Sequence, residues 1–351
     1  MADKQATIYD VAQAAGVSIA TVSRVMSGGS VSAASRQKVE AAMEAMHYVP
    51  SPAATHRQTR PGSRRLALVI SELTNPYYAA LAAGAEKEAR KNGYALQIYT
   101  VPLKNGEADS AIARLAEDRR TDGAVLVGRV VENGEQSLDG LQRLQSMMPL
   151  VTIGPRIEGL NSINITSDLT LSVRMSLNHL YALGHRRIAF IGGSSSVRSS
   201  SIRERAFYDE MERLGLPADR SLHAETGYLP QDGEICIAKL FARLSPADLP
   251  TALIAINDLV ALGAMRHLQR PGRRIPEDMA VIGCDNKFFT PYLNPPLTTV
   301  DLHPEEHGRT AVSELIAAQS GGTIVPYSQI SECSLIVRES CGAALGFRRL
   351  T

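Results

Sequence analysis

Residues 66–340 alternate between short apolar runs of strand length and longer stretches with helical periodicity, and this alternation constrains the fold more than any other feature. Four apolar runs are followed, after a break, by three more: RLALVIS (65–71), YALQIYT (94–100), GAVLVG (123–128) and PLVTIG (149–154), then RIAFIG (187–192), TALIAI (251–256) and MAVIGC (279–284). Helical stretches lie between them, for example over residues 77–93 and 107–123. Such alternation predicts parallel sheets covered by helices on both faces. Two series predict an α/β body with two similar lobes.

A two-lobed body of this kind binds its ligand in the cleft, because doubly wound sheets bind ligands beyond the carboxyl ends of their strands. Solute-binding proteins, regulators and enzymes share this geometry. The sequence has no GxSxG elbow, and GGSSS (192–196) is neither a Walker A loop nor a dinucleotide fingerprint. The scattered histidines His47, His179, His185 and His303 lack metal-ligand spacing. We therefore expect no catalytic residues, no metal and no cofactor.

The net charge of +1 is the average of two unequal parts of the chain. Residues 1–65 carry eight Lys or Arg against four Asp or Glu, a charge of +4, which leaves −3 for residues 66–351. A basic segment on a mildly acidic body favours a module that binds a polyanion, although a randomly charged terminus would give the same sum.

The chain contains no apolar run near the roughly 20 residues that span a bilayer, and its N-terminus lacks a signal-peptide core. The sequence therefore predicts a cytoplasmic protein without a membrane partner. Its four cysteines form no CxxC pair and are expected to be small core residues.

Three short helices are predicted near the N-terminus. Thr7 and Ser18 can cap the first two, and Gly16 between them favours a tight turn. Ser32 begins the third helix, whose apolar stripe consists of Val39, Ala42, Met43 and Met46. This arrangement is typical of a helix-turn-helix unit, whose second helix enters the major groove of DNA. A generic three-helix bundle, the alternative, needs neither the tight turn nor the exposed hydroxyl groups.

The segments TIYDVAQAAGVSIATVSRVMSG (7–28) and VSAASRQKVEAAMEAMHYVP (31–50) closely resemble the headpiece of the lac repressor-like (LacI/GalR) transcription regulators. The resemblance implies that Ile19 and Ala20 select base pairs, although both could instead pack against the headpiece. It also implies that Arg24 reaches bases, and Arg can pair with guanine O6 and N7. The hydroxyl-bearing residues at the family's phosphate-binding positions are Tyr9, Ser18, Thr21, Ser23 and Ser32.

Residues 50–65, rich in Pro, Ser and Arg, have the composition of a linker. In the family this segment forms a hinge helix that inserts a Leu into the minor groove. Arg57 stands at that position here, and an Arg cannot act as an apolar wedge. We expect Arg57 to lie instead in a narrowed minor groove, where the potential is most negative.

The resemblance continues through the body to about residue 340, and implies a fold of the periplasmic-binding-protein type. Segments such as LGHRRIAFIGG, PTALIAINDLVALGAMRHLQ and RIPEDMAVIGCDN carry it. The effector residues that it implies are two aromatic residues after the first strand, an arginine, a stacking aromatic and two polar residues: Tyr77, Tyr78, Arg203, Tyr228, Asn257 and Asp285. Aromatic faces suit the C–H faces of a sugar or a base, and the polar groups supply directional bonds.

Two departures concern the charge of the effector. Gly154, Pro155 and Arg156 follow the strand after which sugar-binding members usually have an Asp, and Arg198 adds a further base. Loss of an acid and gain of bases favour an anionic effector, such as a sugar phosphate or a sugar acid. Alternatively, Arg156 and Arg198 are solvated or paired with nearby acids.

The sequence therefore predicts a DNA-binding transcription regulator, a repressor that binds a near-palindromic double-stranded operator as a homodimer and responds to a carbohydrate-like effector. The alternative is an activator or dual regulator of the same family with a nucleoside or purine effector. The expected parts are a headpiece (1–49), a hinge (50–64) and a core (65–351). Within the core, the first lobe comprises about 65–165 and 304–323, and the second about 166–296 and 324–340.

Overall fold

The computed structural model describes residues 8–26, 31–46, 63–101, 107–118, 120–132, 138–319 and 326–343. The chain forms two compact units, Met1–Ser63 and Arg64–Thr351. Both have the predicted class of fold: the first is helical, and the second is an α/β body with two sheets.

The first unit contains helices α1 (Ile8–Ala15), α2 (Ile19–Met26) and α3 (Ala33–Ala45). One buried side chain from each helix meets at its centre, and these are Val11, Val22 and Val39. Met43 and Met46 pack against this cluster with part of their surface exposed. The predicted apolar stripe of the third helix is therefore confirmed.

The first lobe of the core has a six-stranded sheet in which all pairs are parallel, in the order β11-β5-β4-β3-β1-β2. Its strands are β1 (Arg65–Ile70), β2 (Ala95–Thr100), β3 (Gly123–Val127), β4 (Leu150–Ile153), β5 (Ile163–Ser167) and β11 (Ser328–Ser331). Its helices are α4 (Pro76–Lys91), α5 (Glu107–Glu117), α6 (Arg129–Glu132), α7 (Leu138–Met147) and α12 (Pro304–Gln319).

The second lobe has a sheet in the order β12-β10-β9-β8-β6-β7, parallel except for the antiparallel pair β10–β12. Its strands are β6 (Ile188–Gly192), β7 (His223–Glu225), β8 (Ala252–Ala255), β9 (Ala280–Cys284), β10 (Thr298–Asp301) and β12 (Ser334–Ile336). Its helices are α8 (Leu169–Ala182), α9 (Arg198–Arg213), α10 (Pro230–Ala242) and α11 (Asp258–Gln269).

The chain crosses between the lobes three times, after Ser167, after Asp301 and after Ser331. The crossing segments hydrogen-bond one another, since the Ser167 hydroxyl donates to the Leu302 carbonyl at 3.0 Å and the Asp168 N–H donates to the Ser331 carbonyl at 3.0 Å. Three adjacent chain segments therefore connect the two lobes.

Helices α4 and α12 of the first lobe approach closely at two glycines. A Cβ atom on Gly84 would overlap the carbonyl group of Glu305, and one on Gly308 would overlap the carbonyl oxygen of Leu81. Both positions face backbone rather than flexible side chains. The close packing of these helices therefore depends on glycine at both positions.

Two expectations about the core require correction. The helix predicted over 107–123 ends at Glu117. The Asp118 carboxylate accepts hydrogen bonds from the Arg120 N–H and the Tyr99 hydroxyl, both at 3.1 Å, and these bonds compete with a continuing helix. The assignment of residues 324–340 to the second lobe is wrong for Ser328–Ser331, since β11 pairs with β5 of the first lobe.

All four cysteines are buried and have free thiols. Within the described ranges, no cluster of three His, Cys, Asp or Glu side chains is arranged to hold a metal ion. No helix in that part of the chain has the length and apolar character needed to cross a membrane.

Candidate functional site

The turn between α1 and α2 has the geometry that its sequence predicts. Gly16 adopts a φ of +62°, in the left-handed region that favours glycine. The Ser18 hydroxyl then accepts a hydrogen bond from the Thr21 N–H at 3.2 Å and lies 2.9 Å from the Thr21 hydroxyl. Ser18 therefore caps α2 and fixes its start directly after the turn.

Helix α2 has an apolar inner face and a face open to solvent. Val22 and Val25 are buried, whereas 42% of the Ile19 surface is exposed. Ile19 therefore keeps apolar surface open to solvent, while the rest of its surface is covered within the headpiece. Thr21 is half-buried on the same helix.

The remaining residues expected to bind DNA lie in or beside these helices. Tyr9 belongs to α1, and Ala20, Ser23 and Arg24 belong to α2. Ser32 is exposed directly before α3, where its hydroxyl accepts from the Ser35 N–H at 3.2 Å and donates to the Ser35 hydroxyl at 2.9 Å. Thr7 and Arg57 lie outside the described residues.

A cavity of about 120 Å³ lies between the two lobes, beyond the carboxyl ends of strands from both sheets. Six of the seven expected effector residues line it: Tyr77, Tyr78, Arg203, Tyr228, Asn257 and Asp285. Arg156 is exposed outside the cavity, and its carbonyl accepts a hydrogen bond from the Arg198 guanidinium at 2.6 Å.

The aromatic pair of the first lobe stands at the start of α4. The Asn75 side chain caps this helix by accepting from the Tyr77 N–H at 3.0 Å. The rings of Tyr77 and Tyr78 meet edge to face with centroids 5.4 Å apart, and the Tyr78 hydroxyl donates to Ser71 at 3.2 Å. Burial raises the pKa of both phenols far above their usual value, so both remain neutral.

An acid that the sequence analysis did not identify faces the aromatic pair. Glu132 ends α6, and its carboxylate accepts a hydrogen bond from the backbone N–H of Ser199 in the second lobe at 2.9 Å. Burial holds the pKa of Glu132 above its usual value, and the Ser199 hydrogen bonds and the charge of Arg203 offset only part of this effect. The contact joins the two lobes at the edge of the cavity.

The wall of the second lobe carries one guanidinium and one phenol. Arg203, on α9, donates from Nη1 to the Ile256 carbonyl at 2.9 Å, and its buried Nε has no partner in the described residues. The Tyr228 hydroxyl lies 2.7 Å from the Ser200 hydroxyl. Among the described residues, this wall therefore contains one buried donor without a partner.

Two further polar residues belong to hydrogen-bond networks of their own. Asn257 caps α11, accepting from the Val260 N–H at 2.8 Å and donating to the Tyr228 carbonyl at 3.1 Å. Asp285 adopts a φ of +107° and pairs with the buried ammonium of Lys287 at 2.9 Å. Lys287 also donates across the cleft to the Asn75 side chain at 3.1 Å, a further hydrogen bond between the lobes.

The cavity wall is more acidic than the sequence predicts. Its charged residues are Glu132, Asp285 and Arg203. The two arginines that favoured an anionic effector, Arg156 and Arg198, do not line it. The wall thus combines two carboxylates, one guanidinium and three phenols, a set that suits a ligand with hydroxyl groups and apolar faces.

Comparisons with known proteins agree with this architecture. A sequence model of the bacterial regulatory proteins of the lacI family matches residues 7–51, and one of the periplasmic binding protein-like domain matches residues 177–341. The HTH-type transcriptional repressor CytR of Escherichia coli K12 is 30% identical over 339 residues, which cover 96% of this chain and 97% of CytR. The chain belongs to the LacI family.

Two solved structures of the family have the same fold over almost the whole chain. The complex of the transcriptional regulator CelR with cellobiose has a TM-score of 0.71 and 29% identity, covering 96% of this chain and 100% of CelR. The lac repressor dimer bound to operator and the anti-inducer ONPF has a TM-score of 0.71 and 26% identity, covering 96% and 99%. This LacI-family chain is accordingly a DNA-binding transcription regulator and not an enzyme.

The residues in or beside the cavity that the sequence analysis missed include Glu132, Lys287 and His307. Glu132 follows the carboxyl end of β3, and ligands of parallel sheets bind beyond these strand ends, so this residue could have been predicted. The contact of Lys287 with Asn75 joins positions 212 residues apart, which no local pattern reveals.

Proposed function

We propose that this LacI-family chain represses transcription by binding a near-palindromic operator as a homodimer, and that a neutral carbohydrate in the cleft controls it. The charge and chemistry of the cavity wall carry the effector part of the proposal. The lac repressor dimer, which is bound to operator in its solved structure, supports the DNA part. In this proposal the protein acts in the cytosol. The headpiece (1–49) and the hinge (50–64) bind DNA, and the core (65–351) binds the effector and dimerises.

The proposed DNA contacts divide by chemistry. Arg24 and the exposed Ile19 lie on the helix expected in the major groove, where an Arg can read guanine and an apolar side chain can contact a thymine methyl group. The hydroxyl groups of Ser18, Thr21 and Ser32 suit phosphate contacts, which position the protein without reading sequence. Arg57 occupies the minor groove in this proposal.

A neutral effector is favoured over a phosphorylated or acidic sugar. At the cavity wall, Asp285 is already paired with the Lys287 ammonium at 2.9 Å, and the charge of Arg203 is matched by that of Glu132, so the described lining offers an anion no unmatched cation. The Tyr77 and Tyr78 rings supply the aromatic surface that sugar C–H faces pack against. CelR, whose solved structure contains cellobiose, shares this fold and supports the carbohydrate class.

Isothermal titration calorimetry tests the effector class. The panel pairs cellobiose, glucose and ribose with cellobionate, glucose 6-phosphate and ribose 5-phosphate, and adds cytidine and hypoxanthine. We expect one neutral sugar to bind at least about ten-fold more tightly than its anionic counterpart, because the described cavity wall has no unmatched cation to offset the charge of an anion. Equal binding within a pair, or binding of the nucleoside or purine alone, would contradict the proposal.

Two variants locate the binding site. Glu132→Gln removes one wall carboxylate and is expected to reduce the preference for the neutral sugar several-fold. Arg156→Ala, outside the cavity, should leave both affinities unchanged.

Fluorescence anisotropy with DNA from upstream of the chain's own gene tests the regulator role. We expect binding that weakens steeply between about 50 and 200 mM salt, because phosphate contacts release counterions. Addition of the sugar that binds should change the operator affinity, and operator should change sugar affinity by the same factor. An operator affinity that is the same with and without the sugar would refute the allosteric part of the proposal.

A further inference from the structure

His307 is buried at the wall of the cavity between the lobes, in the first turns of α12. Only 1% of its surface is exposed. Neither Nδ1 nor Nε2 has a hydrogen-bond partner among the described residues. A buried polar group without a partner is unfavourable and rare in native proteins, so this imidazole requires an explanation.

The charged and titratable groups that act on the ring are His303, Glu306 and Asp301. Burial, the largest cause, and the charge of His303 together lower the pKa of His307 to about 4, against the opposing effect of the acids. The position near the N-terminus of α12 also disfavours a positive charge. His307 is therefore a neutral imidazole near pH 7, with one N–H donor and one acceptor lone pair.

A second unfilled donor lies on the opposite wall of the same cavity. The Arg203 Nε, in the second lobe, is buried and has no partner in the described ranges. The two orphaned groups thus belong to different lobes and to one cavity. A ligand that occupies the cavity can satisfy both, whereas the protein by itself satisfies neither.

We propose that His307 hydrogen-bonds a hydroxyl group of the effector and thereby selects a hydroxyl-bearing ligand. The inference rests on the proposed function and assigns a specificity role to a residue of the first lobe. A hydroxyl group can both accept from the imidazole N–H and donate to its lone pair, whereas a carboxylate or phosphate can only accept. His307 therefore adds to the selection against anions that Glu132 exerts.

The test combines three variants with calorimetry, using the neutral sugar of the panel that binds the wild type and its monodeoxy analogues. His307→Leu keeps an apolar shape without polar atoms, and His307→Gln keeps a donor and an acceptor. His267→Leu is the matched control, since His267 lies on α11 and does not line the cavity. We expect about ten-fold weaker binding for His307→Leu, affinity within about three-fold of wild type for His307→Gln, and no change for the control.

The deoxy analogues separate a direct contact from a structural effect. One analogue, lacking the hydroxyl group that His307 contacts, should bind the wild type about ten-fold more weakly than the sugar but bind His307→Leu as well as the sugar does. In ¹⁵N spectra of the wild type, the ring nitrogens of His307 should shift when the sugar is added. The ring-nitrogen shifts of the wild type and the affinity of His307→Gln decide the question even if His307→Leu does not fold.

Equal sugar affinity for the wild type and His307→Leu, with unchanged ring-nitrogen shifts, would overturn the inference and leave the proposed function standing. Sugar binding that weakens equally for every deoxy analogue in both proteins would overturn it as well. If no sugar of the panel binds the wild type, the proposed function itself fails, and the role of His307 fails with it.

Discussion

Replacement of Lys287 by Met tests the bond network that links the lobes. The Lys287 side chain is 1% exposed, and that of Asp285, its partner at 2.9 Å, is 9% exposed. The variant leaves the Asp285 carboxylate buried without a counter-charge and removes the donor to Asn75. Removal of one partner of a buried ion pair costs about 3–5 kcal/mol. Since a folded domain is stable by about 5–15 kcal/mol, the loss is a large fraction of the total.

Urea denaturation followed by circular dichroism at 222 nm measures this loss, because the chain has no Trp for fluorescence. Lys91→Met provides the same substitution at an exposed lysine, since Lys91 is 72% exposed and lies 3.6 Å from Glu88, whose side chain is 11% exposed. A solvent-exposed lysine contributes below about 1 kcal/mol through such a contact, so this control should remain close to wild type.

The double variant Lys287→Met/Asp285→Asn identifies the cause of the loss. Because it also removes the unpaired carboxylate, it should recover much of the stability lost in Lys287→Met. The reasoning is refuted if Lys287→Met costs no more than the Lys91 control, or if the double variant is less stable than Lys287→Met alone.

Three further predictions concern other parts of the molecule. Gly84→Ala places a methyl group 2.7 Å from the carbonyl carbon of Glu305, and it should lower the free energy of unfolding in urea by about 1–3 kcal/mol or more. The control Gly215→Ala, in open space at φ +66°, should cost about 1 kcal/mol. Because the pKa of His307 is lowered to about 4 in the folded protein, the unfolded chain takes up a proton on this histidine at a higher pH. Between pH 6.5 and 4, the free energy of unfolding of the wild type should therefore fall by up to about 3 kcal/mol more than that of His307→Leu, in urea titrations at each pH. Parallel pH profiles of the two proteins would contradict this. Arg24→Ala should weaken operator binding by about 1–3 kcal/mol and relax specificity at one base pair in anisotropy measurements with single-base operator variants; an equal loss on every sequence would indicate a phosphate contact instead.

The sequence predicts the central strands because burial on both faces of a parallel sheet requires continuous apolar runs. Strands β1, β3 and β8 show this, and each lies within a residue or two of its predicted limits. The strands that the sequence analysis missed are β5, β7, β10, β11 and β12, which have only three to five residues each. Three of them lie at sheet edges, including β11 and β7, whose sequences SQIS and HAE are polar. Such segments have no period that separates them from loops.

Some residues of the candidate site could likewise be predicted from the sequence, and others could not. Tyr77 and Asp285 follow strands, so their neighbourhood could be inferred from the rule for parallel sheets. The pairing of Glu132 with Ser199 joins two lobes across 67 residues, and it depends on how the lobes meet. Arg156 also follows a strand but is exposed outside the cavity, because position after a strand does not fix the direction of a long side chain.

The three crossings between the lobes have a consequence for biosynthesis. The first lobe needs α12 and β11, and the second needs β12, so both lobes depend on residues 304–336. On the ribosome, neither lobe can be completed until the last part of the message has been translated. A nascent chain that ends at Ser167 leaves the β5 edge unpaired and the α4 surface uncovered, which are features that chaperones bind and that promote aggregation. Early termination near the 3′ end of the gene would therefore disable both lobes together.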